Sequence, residues 1–382
     1  MSSVYDCIVL GVGGFGSGAL YHLARRGLKV LGLEQFSPVH DRGSSHGETR
    51  IIRQAYYEHP DYVPLLLRGY ELWNDLESET GKQVLFPVGL FLAGYPGGEV
   101  VPGTEHAAAL HGLPLDCFTP EEARRRFPGY DFPDDFRIIF ERQAGYLAVE
   151  ECVRTHISAA LQLGAELRSG ETVLGWEVRR GTVHVRTDQG EYQAARLVIT
   201  AGAWASQLLA GLNVQLRVLR KFLGWFPTQS DVYNASEGNS TFVYELPGGK
   251  FFYGFPSIDG QAIKVAEHSG GDEVADPRQV DRSAHPVDVQ NLAGFVRDYL
   301  PQVGTALDRH AVCLYTMSPD SHFVVDRHPQ HPQVVFGAGF SGHGFKFTSV
   351  IGEALADLAA DGKTALPIDF LSLARFAPKQ KT

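Results

Sequence analysis

Cysteine is scarce in this chain. Its four cysteines, Cys7, Cys117, Cys152 and Cys313, stand far apart and include no CxxC pair, which excludes a disulfide-stapled secreted domain and points to a reducing compartment. Long hydrophobic runs are missing as well: nowhere do about eighteen apolar residues follow one another without a charge, so no membrane span is expected. The amino terminus lacks a basic segment followed by an apolar core and a small-residue cleavage site, because Asp6 breaks its first apolar run. No signal peptide is expected. Nor is the closing Lys379-Gln380-Lys381-Thr382 a peroxisomal address of the Ser-Lys-Leu kind, and a cytoplasmic location is the expectation that follows. Basic residues are outnumbered, 34 Lys and Arg against 44 Asp and Glu, for a formal net charge of -10. Nucleic-acid binders gain affinity by placing cations against phosphates, so no such partner is expected. The chain shows no internal repeat, no low-complexity segment and no metal-ligand spacing.

What is present suits an enzyme. A length of 382 residues exceeds one ordinary core, and the 44% hydrophobic and 20% charged fractions are those of a soluble globular protein. Val4 to Leu10 reads as a strand buried on both faces, Phe15 to Arg26 as a helix, and Lys29 to Leu33 as a second strand, together a βαβ unit. Leu65 to Leu76 has helical spacing. From Gly81 to Ile139 short apolar runs alternate with proline and glycine, which predicts a meander in a different domain. Helical spacing returns at Glu151 to Leu163, and strands are expected at Val173 to Thr187 and Ala195 to Thr200. Val218 to Gly254 and Ile263 to Glu267 read as strands of a second sheet lined by Phe222, Trp225, Phe226, Phe242, Tyr244, Phe251, Phe252 and Tyr253. Finally Val334 to Phe336 reads as a strand, Gly337 to Gly344 as a turn and Phe345 to Leu358 as a helix.

Gly11-Val12-Gly13-Gly14-Phe15-Gly16 fits GxGxxG between strand and helix. The first glycine turns the chain, the second admits a pyrophosphate to the helix N-terminus, and the third lets helix pack on strand. Glu34 closes the second strand and suits the ribose hydroxyls of a dinucleotide; a carboxylate there argues against NADP. Ala201-Gly202-Ala203 after a strand offers a second close approach to the cofactor. FAD and NAD both remain open on these residues alone.

Two blocks decide further. Residues 43 to 53, Gly43-Ser44-Ser45-His46-Gly47-Glu48-Thr49-Arg50-Ile51-Ile52-Arg53, and residues 339 to 346, Gly339-Phe340-Ser341-Gly342-His343-Gly344-Phe345-Lys346, resemble the monomeric sarcosine oxidase family. That family includes sarcosine, N-methyltryptophan and pipecolate oxidases. Tyr253-Gly254-Phe255-Pro256, Lys264 with His268, and Cys313-Leu314-Tyr315-Thr316 extend the likeness. The resemblance implies an α/β fold in which a Rossmann-type FAD-binding domain (1-80, 145-215 and 311-382) is interleaved with a mixed-sheet substrate domain (81-144 and 216-310).

It also implies roles. FAD is expected to be joined through its 8α-methyl group to Cys313, a thiolate being the nucleophile that adds to an electrophilic flavin. Gly11, Gly13, Gly16, Glu34, Ser45, Gly342, Gly344 and Lys346 are expected at the cofactor. Arg53 and Lys346 match the pair that holds the substrate carboxylate. Lys264 matches the lysine that activates oxygen, where a fixed positive charge stabilises superoxide as it forms; its neighbours Ile263 and Val265 permit an inward-facing strand position. His46 and Arg50 match residues at the flavin, and His268, Tyr253 and Tyr315 residues of the substrate pocket. Many relatives carry two adjacent histidines and an aspartate where this chain has Ser45, His46 and Glu48, and the serine resembles the pipecolate-oxidising members.

The function implied is oxidation of a small secondary amino acid by oxygen in a monomer. Sarcosine or a close N-methyl amino acid heads the expectation, with pipecolate or N-methyltryptophan as alternatives and a carrier-linked amine dehydrogenase as a remote one.

Overall fold

The computed structural model describes residues 4–212, 214–228 and 230–377; the tail read at 379–382 lies outside them, as do residues 1–3. The first sheet grows from the amino-terminal strand Val4–Leu10, whose Cys7, Ile8, Val9 and Leu10 are all fully buried. Covered on both faces, it pairs in parallel with Val30–Glu34 on one side and Glu191–Ile199 on the other. Parallel neighbours need a crossover, and the helix Gly14–Arg25 supplies it. Val334–Ala338 extends the sheet beyond Glu191–Ile199, again in parallel. The helix that follows, Thr348–Asp361, packs along Gly14–Arg25, so the two ends of the chain meet.

The second, nine-stranded sheet is mixed and mostly antiparallel. Its strands alternate strictly between two faces, as period-2 side-chain direction requires. Phe222, Phe226, Phe242, Tyr244 and Phe252 point to one face and form an aromatic core with Phe91, Phe132 and Phe295. Trp225, Val243, Tyr253, Cys313 and Tyr315 point to the other. Ile263 and Val265 belong to the aromatic core, so Lys264 between them is turned to the opposite face, where it is only 2% exposed.

Most expected elements are present within a few residues of their expected bounds. The stretch expected to be a meander also holds two helices, Val100–His111 and Pro120–Arg126, and a third unforeseen helix runs over Pro286–Tyr299. Thr119-Pro120-Glu121-Glu122 did carry a helix-start signal: Thr119 and Glu122 form a reciprocal capping box with proline in the first turn. The strand Arg309–Met317 was not foreseen either. It pairs with Arg217–Pro227 from Arg217↔Met317 to Trp225↔Arg309. Cys313 therefore stands in the second sheet, although the division expected from the sequence assigns 311–382 to the nucleotide-binding part.

Candidate active site

A cleft of about 200 Å³ opens at the carboxyl ends of the first sheet's parallel strands, where ligands of open α/β sheets bind. Gly11, Gly13, Glu34, Ser45, Ala201, Gly202, Ala203, Cys313, Gly342 and Gly344 all line it. The tightness of the turn explains the glycines: a Cβ on Gly16 would lie 1.8 Å from the Gly11 carbonyl oxygen. The helix Gly14–Arg25 has no side-chain cap at Gly13, leaving N–H groups to face an anion. The Gly14 N–H instead donates to Ser45 Oγ at 3.1 Å, so Ser45 supports the phosphate turn.

Glu34 is buried and already accepts from Val12 N at 2.9 Å and Phe36 N at 3.1 Å. It holds its own loop and still presents a carboxylate to the cleft. Two further groups in the cleft lining, Trp204 Nε1 and Thr316 Oγ1, are buried without a hydrogen-bond partner. Buried polar atoms are rarely left so, and an elongated dinucleotide crossing the cleft fits them.

At its far end the cleft meets a smaller cavity of about 70 Å³. Arg50, Tyr315, Gly342 and Phe345 line both, forming the partition. Gly342 has φ +79, and a Cβ there would come within 2.3 Å of the Tyr315 ring, so only glycine lets the loop lie against that ring. Arg50 donates from Nη2 to Cys313 Sγ at 3.3 Å and to the Ser44 carbonyl at 2.9 Å. Cys313, 1% exposed, thus has a fixed guanidinium at its sulfur.

The small cavity brings together Arg53, Lys346, Tyr253, His268 and Tyr315, drawn from distant parts of the chain. Arg53 lies between the rings of Tyr56 and Tyr57, with centroids 4.3 and 4.8 Å from its guanidinium carbon. Its Nη1 donates to the Ala55 carbonyl at 3.1 Å. Lys346 donates to the His343 carbonyl at 2.8 Å and lies 3.4 Å from Tyr56 Oη. Burial, and then the Arg53 charge, lower its pKa to about 7. Tyr253 Oη lies 3.5 Å from Tyr315 Oη, which lies 3.4 Å from His268 Nδ1. Burial and the nearby Lys221 bring His268 down to about 3, so its ring is neutral.

Lys264 and His46 are brought close but line neither cavity. Lys264 Nζ donates to the carbonyls of Gly47, at 2.5 Å, and Thr49, at 2.9 Å, beneath the segment that carries Arg50. Burial, with Arg50 next, pushes its pKa well below that of an ordinary lysine. His46 is 4% exposed, its Nε2 has no partner, and burial followed by Arg50 lowers it to about 3. At that value the imidazole is neutral.

Several residues of the site escaped sequence reasoning. Glu58 and Tyr57 line the small cavity. Glu141 accepts from Gln54 N at 2.6 Å and Ala55 N at 3.1 Å, fixing the backbone just after Arg53. Glu150 accepts from Gly47 N at 2.6 Å and from Glu48 N, doing the same before Arg50. Lys221 Nζ donates to the carbonyls of His268, Ser269 and Gly270 at 3.0, 2.6 and 3.0 Å.

The sequence profile of the family described as FAD dependent oxidoreductase matches residues 6–358. The chain is 43% identical to a monomeric sarcosine oxidase of Streptomyces avermitilis, over 99% of each chain. It is 36% identical to an N-methyl-L-tryptophan oxidase of Yersinia pestis, over 97% of this chain and 99% of the relative. Among solved structures, NikD, an unusual amino acid oxidase essential for nikkomycin biosynthesis, superposes with a TM-score of 0.86 at 25% identity, over 97% of this chain and 98% of that one.

Proposed function

Because the chain belongs to the FAD-dependent oxidoreductase family, among relatives of the monomeric sarcosine oxidases, we propose that it oxidises the secondary amine of a small N-methyl amino acid with oxygen as acceptor. One observation carries the reading: two buried cations from opposite ends of the sequence, Arg53 and Lys346, line a small cavity that shares a wall with the dinucleotide cleft. Such a pair recognises a carboxylate, the guanidinium through two parallel N–H bonds and the ammonium as a point charge. The same relatives support a monomer, and no helix among the described residues is long and apolar enough to cross a membrane.

FAD would be held by the glycine turn and helix N-terminus at Gly11 to Gly16, by Glu34, and by Ser45 beneath the phosphates, with Trp204 and Thr316 gaining partners. Bound there, it would supply the two-electron acceptor for a hydride from the substrate carbon beside nitrogen and the redox centre at which oxygen is reduced to hydrogen peroxide. Cys313 would carry the covalent link, and the Arg50 guanidinium stands 3.3 Å from its sulfur. Arg50 is also the only guanidinium lining both cavities among the described residues, so its charge would favour negative charge gained by a cofactor bound between them.

The remaining residues act on the substrate. Arg53 and Lys346 fix its carboxylate and thereby point the amine end across the cavity toward the partition. Their positive field disfavours an ammonium and favours the neutral amine, the form whose lone pair is free. Tyr253, Tyr315 and neutral His268 form a hydrogen-bonded wall that orients the amine end and excludes water. None is a strong base in this setting, and none is needed once the amine is bound neutral. Lys264, behind the Gly47–Thr49 backbone, keeps its proton against the pull of burial through the carbonyls that accept from its Nζ, and supplies the positive charge for oxygen reduction.

Ser45 lies in the cleft and accepts from the Gly14 N–H, which places it with the cofactor rather than with substrate choice. The test is product analysis. Incubation with sarcosine in air should release hydrogen peroxide and formaldehyde in equal amounts, whereas glycine should release neither. Absence of formaldehyde with active turnover of pipecolate would replace the N-methyl reading.

A further inference from the structure

The small cavity has a charged end and an apolar end. Leu92 and Val243 form the apolar floor; they are register partners on neighbouring parallel strands and are both buried, so the sheet fixes them. Phe251, from the next strand, stands beside them with its ring 6.0 Å from that of Tyr57 and 5.2 Å from that of His268. Tyr57 comes from the loop after Arg53 and is held on two sides. Its ring covers the Arg53 guanidinium, and its Cβ lies where any side chain on Gly103 would approach within 3.0 Å. Moving this ring aside would uncover Arg53, the group proposed to anchor the carboxylate. With the carboxylate at the charged end and the amine toward the partition, the α-substituent of an amino acid would extend over the Leu92–Val243 floor and meet Tyr57 and Phe251.

We propose that Tyr57 and Phe251 set the size limit on the substrate's α-substituent, admitting hydrogen or a small alkyl group and rejecting a fused aromatic ring. The inference rests on the reading of Arg53 and Lys346 as the carboxylate anchor. A packed wall resists added volume because neighbouring side chains must leave their rotamers, and here one neighbour is tied to a cation. The substrate class narrows accordingly to N-methyl derivatives of the smallest amino acids.

The experiment compares two non-oxidisable carboxylates that differ by one fused ring, furan-2-carboxylate and benzofuran-2-carboxylate, binding to the flavin-loaded protein by calorimetry. The wild type should prefer the smaller by about tenfold or more, and Phe251→Ala and Tyr57→Ala should each reduce the preference to about threefold or less. Tyr57→Phe, which keeps the ring, should retain the wild-type ratio. Phe251→Val carries the same comparison if the alanine variant fails to fold. The ratio of kcat/KM for sarcosine over N-methyl-L-tryptophan should fall in parallel. Equal binding of both carboxylates by the wild type, or an unchanged ratio in both alanine variants, overturns the size limit. Failure of the wild type to bind furan-2-carboxylate at all overturns the anchor reading instead.

Discussion

Arg53 Nη2 lies 2.6 Å from Glu58 Oε2, a buried ion pair inside the cavity proposed for the substrate carboxylate. Burial alone would raise the Glu58 carboxyl, but the Arg53 guanidinium beside it holds the group below the usual carboxylate range. The anchor is therefore already paired with an internal carboxylate. An incoming carboxylate shares or displaces that partner and meets its negative charge. Glu58→Gln should tighten binding of a non-reacting carboxylate by about tenfold, since like charges placed together are strongly unfavourable. Titration calorimetry of the variant checks this; weaker binding would mean that Glu58 chiefly holds Arg53 in place.

Lys346 gives the site a pH dependence of known sign. With its pKa lowered to about 7, it is charged below that pH in the free protein and loses its charge above. Carboxylate affinity should therefore be full below about pH 7 and fall as pH rises through it, by at most about tenfold per pH unit for one proton. Lys346→Met should bind more weakly and flatten the profile. Dissociation constants measured from pH 6 to 9 (an about three-unit span around the lowered value) would show both.

Lys264 separates the two halves of the reaction. Lys264→Met should be reduced by substrate at close to the wild-type rate yet reoxidise in air about a hundred- to a thousandfold more slowly, the loss expected on removing one preorganised charge. Stopped-flow absorbance in each half-reaction distinguishes these. Unchanged reoxidation would remove the lysine from the oxygen step.

Cys313 carries the proposed tether. Acid precipitation of the purified protein should leave the yellow colour in the pellet, and Cys313→Ala should release it to the supernatant. Colour released by the unaltered protein would show that the flavin is not attached.

The sequence made legible what is contiguous or periodic. GxGxxG and Glu34 lie on one βαβ unit, and the inward face of Lys264 follows from Ile263 and Val265 on a period-2 strand. The helix Val100–His111 was hidden because Pro102 and Gly103 read as a break. Proline is tolerated in a first helical turn, and Gly103 is required by the packing of Tyr57. Lys221, which the sequence reading passed over, is 3% exposed, because a turn 47 to 49 residues away brings three carbonyls to it. Glu58 and Tyr57 sit in a short loop with no periodicity, and only the folded chain turns them into the cavity.

The most direct measurement is anaerobic titration of the purified protein with sarcosine, followed by flavin absorbance. The account predicts bleaching of the oxidised flavin band in the wild type, with saturation lost or shifted about a hundredfold or more to higher concentration in Arg53→Met, whose buried anchor is gone. A flavin that stays fully oxidised at high concentrations of sarcosine, or an Arg53→Met protein that bleaches at wild-type concentrations, would contradict it.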